Sequence, residues 1–191
     1  LGYQVAIVIG GGNFFRGRSN KDMEAQFVDT MGMLGTTINA LGLADQFKKN
    51  DIPFIISTPF DLNGLIPKYT KDEVLEMYKD HVVIFGGGTG HIGCSTDTCA
   101  SNKASMIEAD AIIKLTNVDG VYDKDPNKYP DAVKYETVTH DEVLRLNLQV
   151  MDSTAAALCR DNKTKILVFS MQDPDNIVRI VKGEKLGTLV E

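Results

Sequence analysis

The sequence contains few cysteines, no long apolar run and no excess of positive charge. Its three cysteines, Cys94, Cys99 and Cys159, lack the spacing of a zinc site or a Cys-x-x-Cys pair, which predicts packed thiols in a reducing compartment. No apolar run approaches the length of a membrane span, and no signal peptide is visible. The net charge of −6 argues against a protein whose main task is to bind nucleic acid.

An initial methionine is also missing. The chain begins at Leu1, and a strand-like run follows within a few residues, so we expect that the natural amino terminus precedes this sequence. Its 191 residues, 43% hydrophobic and 24% charged, can bury a sizeable core without disulfide bonds. This composition predicts a single soluble domain over residues 1–191.

Strand-like and helix-like segments alternate along the chain without a linker or a repeat. Strands are expected near residues 5–9, 53–57, 82–85, 111–115, 165–169 and 186–190. Helices are expected over residues 22–49, with Gly32 and Gly35 as candidate break points, and over 71–78, 97–108, 141–145, 153–162 and 174–181. The alternation predicts an α/β fold, a three-layer α/β/α sandwich around a mainly parallel central sheet.

A glycine-rich loop follows the first predicted strand, with Gly-Gly-Gly-Asn-Phe-Phe-Arg-Gly over residues 10–17. Glycines let backbone N–H groups approach a ligand, and Arg16 adds a guanidinium beside them. Peptide N–H groups and one guanidinium together suit a phosphate group, because dipoles and a charge-assisted contact hold the same anion. We interpret this loop as a phosphate site.

A second glycine-rich loop, residues 86–95, follows the third predicted strand and leads into a helix, for which Thr96 or Asp97 is the expected N-cap. Residues 88–93 have Walker-A spacing, but Cys94 stands where the lysine must be. The first loop lacks the third glycine of the dinucleotide pattern, because Phe15 occupies that position. A single glycine-rich turn is weak support for a site; two after strands of one sheet are harder to dismiss.

Two further segments carry candidate nucleotide contacts. Residues 117–139 are too polar for a core element, and they are either a solvated loop or a pocket in which Tyr122 faces a base and Asp125 accepts from a ribose or adenine. Asp29 interrupts an apolar helix. It is either an exposed carboxylate or, if the helix borders the first loop, an acceptor for both hydroxyls of a ribose.

Five ordered motifs give the chain a specific resemblance to the bacterial uridylate (UMP) kinases of the amino acid kinase superfamily. They are Gly-Gly-Gly-Asn-x-x-Arg-Gly, Asp-x-Met-Gly-Met-Leu, Gly-Thr-Gly followed by Ser-Thr-Asp, Lys-x-Thr-x-Val-Asp-Gly-Val-Tyr-x-x-Asp-Pro, and Val-Met-Asp. The resemblance runs from Val5 to Thr188. It implies direct transfer of the ATP γ-phosphoryl group to UMP, which gives UDP and ADP in pyrimidine nucleotide biosynthesis.

Roles for individual residues follow from the resemblance. It implies that Arg16, Asp97 and Asp152 are catalytic, although a helix N-cap explains Asp152 equally well. The implied UMP contacts are Gly11, Asp29, Thr89, Gly90, His91, Ile92, Gly93, Cys94, Ser95 and Thr96. The implied ATP contacts are Gly12, Arg16, Thr116, Asn117, Tyr122 and Asp125. No protein residue is expected to bind a metal, since Mg²⁺ would be held by nucleotide phosphates and water.

The resemblance also implies a homohexamer built from dimers, a bacterial cytoplasmic location, and UTP or GTP as candidate effectors. This sequence departs from the family at two places. The family's opening Lys-x-Ser-Gly-Glu strand, whose lysine stabilises the transferred phosphoryl group, is absent, so either this chain lacks that segment or it is inactive. His91, Ile92, Gly93 and Cys94 replace the usual Asn-Pro-aromatic-aromatic run.

Three alternative functions remain open at this point. Another kinase of the superfamily, such as acetylglutamate kinase, is one, but its substrate has no ribose to pair with Asp29. A non-catalytic nucleotide-binding regulator is the second, supported by the absent lysine segment. A nicotinamide-dependent oxidoreductase is the third, and the broken dinucleotide pattern weakens it.

Overall fold

A computed structural model describes residues 2–17 and 22–191. The chain divides into two compact units, unit 1 over Leu1–Cys99 and unit 2 over Ala100–Glu191. Within the described residues, no helix combines the length and the apolar character that crossing a bilayer requires. The single domain expected over residues 1–191 stays a prediction.

Unit 1 is built on a three-stranded parallel sheet with the order β1-β3-β2. Its elements are β1 (Ala6–Val8), α1 (Ala25–Lys49), β2 (Phe54–Ser57), α2 (Lys71–Met77) and β3 (Val82–Phe85). Helix α3 (Thr96–Met106) begins in unit 1 and continues into unit 2. Strands β2 and β3 are mostly buried, as expected for a parallel sheet, and a core cluster joins α1 to them through Ala40, Ile56 and Ile84.

Unit 2 contains a four-stranded sheet with the order β4-β6-β7-β5. Its elements are β4 (Ala111–Thr116), β5 (Thr137–Val138), α4 (His140–Arg145), α5 (Ser153–Asn162), β6 (Lys165–Ser170), α6 (Asp175–Val181) and β7 (Thr188–Val190). The β4/β6 and β5/β7 pairs are parallel, and β6/β7 is antiparallel. The predicted α/β class with parallel strands is confirmed.

The segment 117–139 is less uniformly polar than the sequence suggests. Val121 and Val138 are 2% and 3% exposed and belong to the main core cluster of unit 2. Strand β5 lies at the end of this segment and pairs with β7, and an antiparallel bridge joins Tyr122 to Lys134. The prediction that the whole segment stays out of the core is therefore wrong, because isolated valines among charged residues give no periodic signal.

Helix α1 runs unbroken through Gly32 and Gly35, the two candidate break points. Its buried positions carry small or short side chains, namely Gly35, Thr36, Thr37, Ala40 and Ala44. Phe27, Met31, Leu34, Ile38 and Leu41 are exposed, whereas Leu43 and Phe47 pack against the core cluster. Gly35 therefore serves close packing against the first loop, whereas a Cβ at Gly32 would meet nothing within 4 Å. Among the cysteines, Cys99 and Cys159 are buried as predicted, whereas Cys94 is exposed.

Candidate functional site

A cavity of about 460 Å³ lies in unit 1, beside the ends of β1 and β3. Its lining combines both glycine-rich loops with one face of α1 and the start of α3. The lining residues are Val8, Ile9, Gly11, Gly12, Phe15, Gly17, Val28, Asp29, Gly32, Met33, Thr36, Gly88, Thr89, His91, Cys94, Ser95 and Thr96. We call it the unit 1 cavity.

The first loop can lie against α1 because Gly11 has no side chain. A Cβ atom at Gly11 would lie 2.7 Å from the carbonyl oxygen of Gly32 and 2.9 Å from the backbone nitrogen of Thr36. Both neighbours are helix backbone, which cannot move aside cheaply. The carbonyl oxygen of Gly11 also accepts from the N–H groups of Phe14 and Phe15, at 3.0 and 3.1 Å, which closes a tight turn.

Asn39 holds the first loop from the helix side. Its Nδ2 atom donates to the carbonyl oxygen of Gly10 at 2.7 Å and to Oδ1 of Asn13 at 2.7 Å. The amide of Asn13 donates back to Oδ1 of Asn39 at 3.1 Å. These bonds tie the first loop to a rigid helix. The sequence reasoning missed Asn39 because an Asn inside a helix carries no local signal of a contact so far along the chain.

The second loop is held between α1 and the turn that follows β2. The N–H group of Gly87 donates to Oγ1 of Thr36 at 2.8 Å. Gly87 has φ = +78°, and a Cβ there would lie 2.7 Å from Pro59 Cδ and 2.8 Å from the ring of Phe60. Only glycine satisfies both the backbone conformation and the space.

Asp29 connects α1 to the second loop. Its half-buried carboxylate accepts from the N–H group of Gly93 through Oδ2 at 2.6 Å. Met33 and Thr36 lie four and seven residues further along α1, and all three line the cavity. Residues at i, i+4 and i+7 share one face of a helix. Once Asp29 is taken as a candidate site residue, the sequence therefore also indicates Met33 and Thr36.

The end of the second loop caps α3. The N–H group of Thr98 donates to Oγ of Ser95 at 3.0 Å. The predicted N-cap, Thr96 or Asp97, is wrong, because both residues already belong to the first turn of the helix. Earlier in the loop, Oγ1 of Thr89 accepts from the N–H group of His91 at 3.1 Å, which makes a local turn.

Several predicted site residues of unit 1 do not line the cavity. Gly90, Ile92 and Gly93 belong to the same loop but are not among the lining residues. Arg16 is exposed, and its Nε atom donates to the carbonyl oxygen of Gly12 at 3.0 Å, which keeps the guanidinium beside the first loop. Asp97 is half-buried in the first turn of α3.

The predicted ATP residues of unit 2 follow β4. Thr116 ends this strand, and its Oγ1 atom donates to the carbonyl oxygen of Val118 at 2.6 Å and accepts from its N–H group at 3.1 Å. Asn117, which lies within this turn, is exposed. Threonine therefore turns the chain at the carboxyl end of the strand.

Tyr122 belongs to a small polar cluster. Its hydroxyl donates to Oδ1 of Asp119 at 2.5 Å, and Nζ of Lys134 lies 2.9 Å from Oδ2 of the same carboxylate. The bonds from Tyr122 and Lys134 lower the pKa of Asp119, and the bond to Asp119 raises the pKa of Tyr122. The cluster orients the half-buried ring of Tyr122.

Asp125 already has local partners. Its Oδ1 atom accepts from the backbone and side-chain amides of Asn127, at 3.0 and 3.2 Å, and Lys128 lies 3.5 Å from Oδ2. The Asn127 backbone N–H is the largest cause of a lowered pKa at Asp125. An ATP hydroxyl that bound Asp125 would have to share its carboxylate with the turn at Asn127, which this carboxylate stabilises.

Asp152 is the N-cap of α5, where its Oδ1 atom accepts from the N–H group of Ala155 at 3.0 Å. This contact matches the local alternative for Asp152, and its catalytic role stays a prediction. Within residues 2–17 and 22–191, no group of three His, Cys, Asp or Glu side chains could hold a metal ion. A magnesium ion carried by nucleotide phosphates needs no such group.

Glycine-rich loops after β1 and β3 of a parallel sheet are typical of an α/β protein that binds a phosphorylated ligand. The model of the amino acid kinase family matches residues 1–170, and the chain belongs to this family.

Solved structures of three kinases are similar to the chain. UMP kinase from Ureaplasma parvum is 38% identical with a TM-score of 0.92, over 99% of this chain and 82% of that one. UMP kinase from Bacillus anthracis is 34% identical with a TM-score of 0.94, over 98% and 79%. Uridylate kinase from Archaeoglobus fulgidus is 32% identical with a TM-score of 0.73, over 98% and 85%.

Proposed function

We propose that this protein is a UMP kinase, which transfers the γ-phosphoryl group of ATP to UMP and gives UDP and ADP. The observation that carries the proposal is the carboxylate of Asp29, which lines one cavity together with both glycine-rich loops. A substrate with both a phosphate and a ribose uses these two features at once. The similar structures of three UMP or uridylate kinases support the same reaction.

In the unit 1 cavity, Gly11 would bring backbone N–H groups to the UMP phosphate, and Asp29 would accept from the ribose hydroxyls. The loop residues Thr89 to Thr96 would contact uracil and phosphate. An acylphosphate-forming kinase of the same family has a substrate without a ribose, so Asp29 favours the nucleotide. The bond between Asp29 and Gly93 would couple ribose binding directly to the second loop.

In unit 2, Thr116, Asn117, Tyr122 and Asp125 would bind the nucleoside part of ATP. The ring of Tyr122, oriented by Asp119, offers a flat face for stacking a base. Gly12 and Arg16 would contact the transferred phosphoryl group.

The reaction needs no general base. A non-bridging oxygen of the UMP α-phosphate attacks the γ-phosphorus of ATP, and the bond from that phosphorus to the bridging oxygen breaks, so the electron pair leaves with ADP. Arg16 and the loop N–H groups would stabilise the charge that develops during transfer. Asp97 would organise the catalytic lysine that the family carries in its opening Lys-x-Ser-Gly-Glu strand, and Asp152 would add a second acid. Magnesium would enter with the ATP phosphates and neutralise part of their charge.

A homo-oligomer is the second part of the proposal, and α1 supports it. Phe27, Met31, Leu34, Ile38 and Leu41 are each 41–52% exposed, and their 4-3-4-3 spacing forms one seam along the helix. Such a seam suits a second copy of the same helix. Ile38→Glu is expected to lower the mass measured by light scattering, whereas Leu65→Glu, at a residue 84% exposed outside the seam, is not. A hexamer would need a further interface.

The remaining parts of the proposal concern the cellular context. The reaction would belong to pyrimidine nucleotide biosynthesis in a bacterial cytoplasm, and UTP or GTP would act as effectors. The proposed reaction and the family resemblance support each of these expectations.

The test of the proposal is a coupled ADP-release assay of the full-length protein with UMP, CMP and acetylglutamate as acceptors. We expect UMP to give the highest kcat/KM, by at least about tenfold over CMP. Calorimetry with UMP and the 191-residue chain is a separate measurement of binding. Preference for acetylglutamate would assign the protein to another reaction of the family, and UMP binding without ADP release would indicate a regulator.

A further inference from the structure

A buried hydroxyl group in unit 2 lies at the base of the loop that carries two of the proposed ATP contacts. It belongs to Thr188, the first residue of β7, which is 0% exposed. Its Oγ1 atom accepts from the N–H group of Val121 at 2.9 Å and donates to the carbonyl oxygen of Tyr135 at 2.5 Å. One side chain therefore uses both its acceptor and its donor to hold segments that lie 67 and 53 residues away in the chain.

The two segments also bond to each other. The N–H group of Tyr135 donates to the carbonyl oxygen of Val121 at 2.9 Å. Further out, the N–H group of Asp123 donates to the carbonyl oxygen of Val133 at 3.1 Å, and the N–H group of Val133 donates to Oδ1 of Asp123 at 2.7 Å. Residues 121–135 therefore form a loop that is closed at its base, and we call it the 121–135 loop.

The chain can approach the hydroxyl this closely because residue 120 is a glycine. A Cβ at Gly120 would lie 2.7 Å from Oγ1 of Thr188 and 2.9 Å from Cδ of Lys134. On the other side, Thr188 pairs with Val168 in the antiparallel ladder between β6 and β7. The hydroxyl is thus carried by the sheet, and the loop is fitted against it.

The bond from Val121 matters because this residue cannot turn to water for a substitute partner. Val121 is 2% exposed and belongs to the main core cluster of unit 2. A buried N–H group without an acceptor carries its full desolvation penalty, so the base of the loop is expected to shift if the hydroxyl is lost. Tyr122, the proposed stacking face for the base, is the next residue in the chain, and Asp125 lies three residues beyond it.

We propose that Thr188 is a positioning residue for ATP, whose hydroxyl fixes the base of the 121–135 loop and so sets where Tyr122 and Asp125 meet the nucleoside. The inference rests on the proposed kinase function, which assigns these two residues to ATP. Thr188 is fully buried and acts through the loop rather than on the nucleotide. Its loss lowers the fraction of molecules in which the loop has the binding arrangement, and the apparent affinity for ATP falls by that fraction.

The test compares two substitutions of Thr188 in the full-length protein. Thr188→Val keeps the shape and removes both hydrogen bonds, whereas Thr188→Ser keeps the hydroxyl and removes one methyl group. By calorimetry we expect ATP to bind about fivefold or more weakly to Thr188→Val, and within about twofold of the wild-type affinity to Thr188→Ser. Hydrogen exchange at the Val121 amide should become faster in Thr188→Val alone.

Steady-state kinetics with UMP as acceptor provide a second readout. In Thr188→Val the KM for ATP should rise by about the factor seen in calorimetry. Both kcat at saturating ATP and the KM for UMP should change by less than about twofold, because the proposed UMP contacts lie in the loops of unit 1.

Ile166→Val is the control for a general loss of stability. Ile166 is 1% exposed and belongs to the same core cluster as Val121, so the variant weakens the core of unit 2 without removing a hydrogen bond. Its ATP affinity should equal that of the wild type at a temperature where both are folded. Gly120→Ala is a second test variant, which crowds the hydroxyl from the side of the loop. It should lose ATP affinity like Thr188→Val, and it replaces that variant if Thr188→Val does not fold.

Wild-type ATP affinity in Thr188→Val, or in Gly120→Ala where it replaces that variant, overturns the inference and leaves the kinase proposal intact. An equal loss of affinity in Ile166→Val or in Thr188→Ser also overturns it, since the effect would then follow stability rather than the hydroxyl. A protein that binds ATP but releases no ADP with UMP contradicts the kinase proposal, while the affinities of the variants still decide the role of Thr188. A wild-type protein that does not bind ATP overturns both.

Discussion

The unit 1 cavity and a cavity of unit 2 have nearly equal volumes, about 460 and 440 Å³, but are built in opposite ways. The second, which we call the unit 2 cavity, is lined by Thr139, His140, Asp141, Arg160, Lys163, Lys165 and Glu191. The unit 1 cavity is made mainly from backbone and short side chains, and its shape depends on close approach of loops to α1. The unit 2 cavity is made from long charged side chains around one buried imidazole. At Gly11 the loop backbone lies too close to α1 for an added Cβ, whereas a site built from exposed side chains adjusts to substitution.

This difference also explains which of the two cavities can be predicted from the sequence. The glycines that open the unit 1 cavity are contiguous in two runs, and contiguous residues form a motif. The unit 2 cavity collects residues 139–141, 160–165 and 191, and no local pattern connects them. Its four bordering elements meet only after the sheet of unit 2 has formed.

The largest expected effect comes from Gly11→Ala. The new Cβ would lie 2.7 Å from the Gly32 carbonyl oxygen, so the first loop must move away from α1. We expect a loss of roughly 1–3 kcal/mol in the free energy of unfolding. UMP phosphorylation should fall by about a hundredfold, because the loop would no longer position phosphate. Denaturant unfolding and steady-state kinetics measure the two effects.

Gly42→Ala, on the helix α1 that Gly11 contacts, is the matched control. A Cβ there meets nothing within 4 Å, and alanine has the higher helix propensity. Its stability should be unchanged or up to about 1 kcal/mol higher, with normal activity. Equal behaviour of the two variants would show that the unit 1 cavity tolerates added atoms after all.

Asp29→Asn separates substrate recognition from structure. Asparagine keeps the size but loses one acceptor oxygen and the charge, so UMP affinity should fall by about tenfold. ATP affinity should not change. Calorimetry with each nucleotide measures this, and Asp45→Asn, on the exposed side of α1, is the control. Equal weakening of both nucleotides would indicate damage to α1 rather than a lost ribose contact.

Asn39→Asp tests whether the helix holds the first loop. The new carboxylate would face the Gly10 carbonyl oxygen at the position of a lost donor, so the loop should shift. We expect kcat to fall by about tenfold and KM for UMP to change less, since the ribose contact remains. Asn50→Asp, which removes a similar bond to Gln46 at the helix end, should leave kcat unchanged. If both variants have normal kcat, Asn39 has no positioning role.

The smallest effect is expected in the unit 2 cavity. Lys165→Gln removes an exposed ion pair with Glu191, so the free energy of unfolding should change by less than about 1 kcal/mol. Denaturant unfolding of Lys165→Gln and Gly11→Ala, measured side by side, compares a cavity built from side chains with one built from backbone. A loss as large as that of Gly11→Ala would contradict the idea that side-chain cavities adjust to substitution.

Much of the fold follows from local patterns. The β-branched runs before the two glycine loops become β1 and β3, and Asp152 caps α5 as its local sequence allows. Other features depend on distant partners. Helix α1 continues through Gly35, where the carbonyl oxygen of Gly11 in the first loop lies 3.4 Å from the place of a Cβ, although glycine by itself favours a break.

The α/β class, the two glycine-rich loops and the family resemblance could be predicted from the sequence, because each rests on contiguous residues with a fixed period or motif. Tertiary structure alone decided that Asp29 bonds to Gly93, that Asn39 holds Gly10, and that His140 is buried beside three cations. These contacts join residues 29 to 64 positions apart or separate elements of a sheet. Such contacts form only when the strands pair and the helices pack, so no local sequence pattern predicts them.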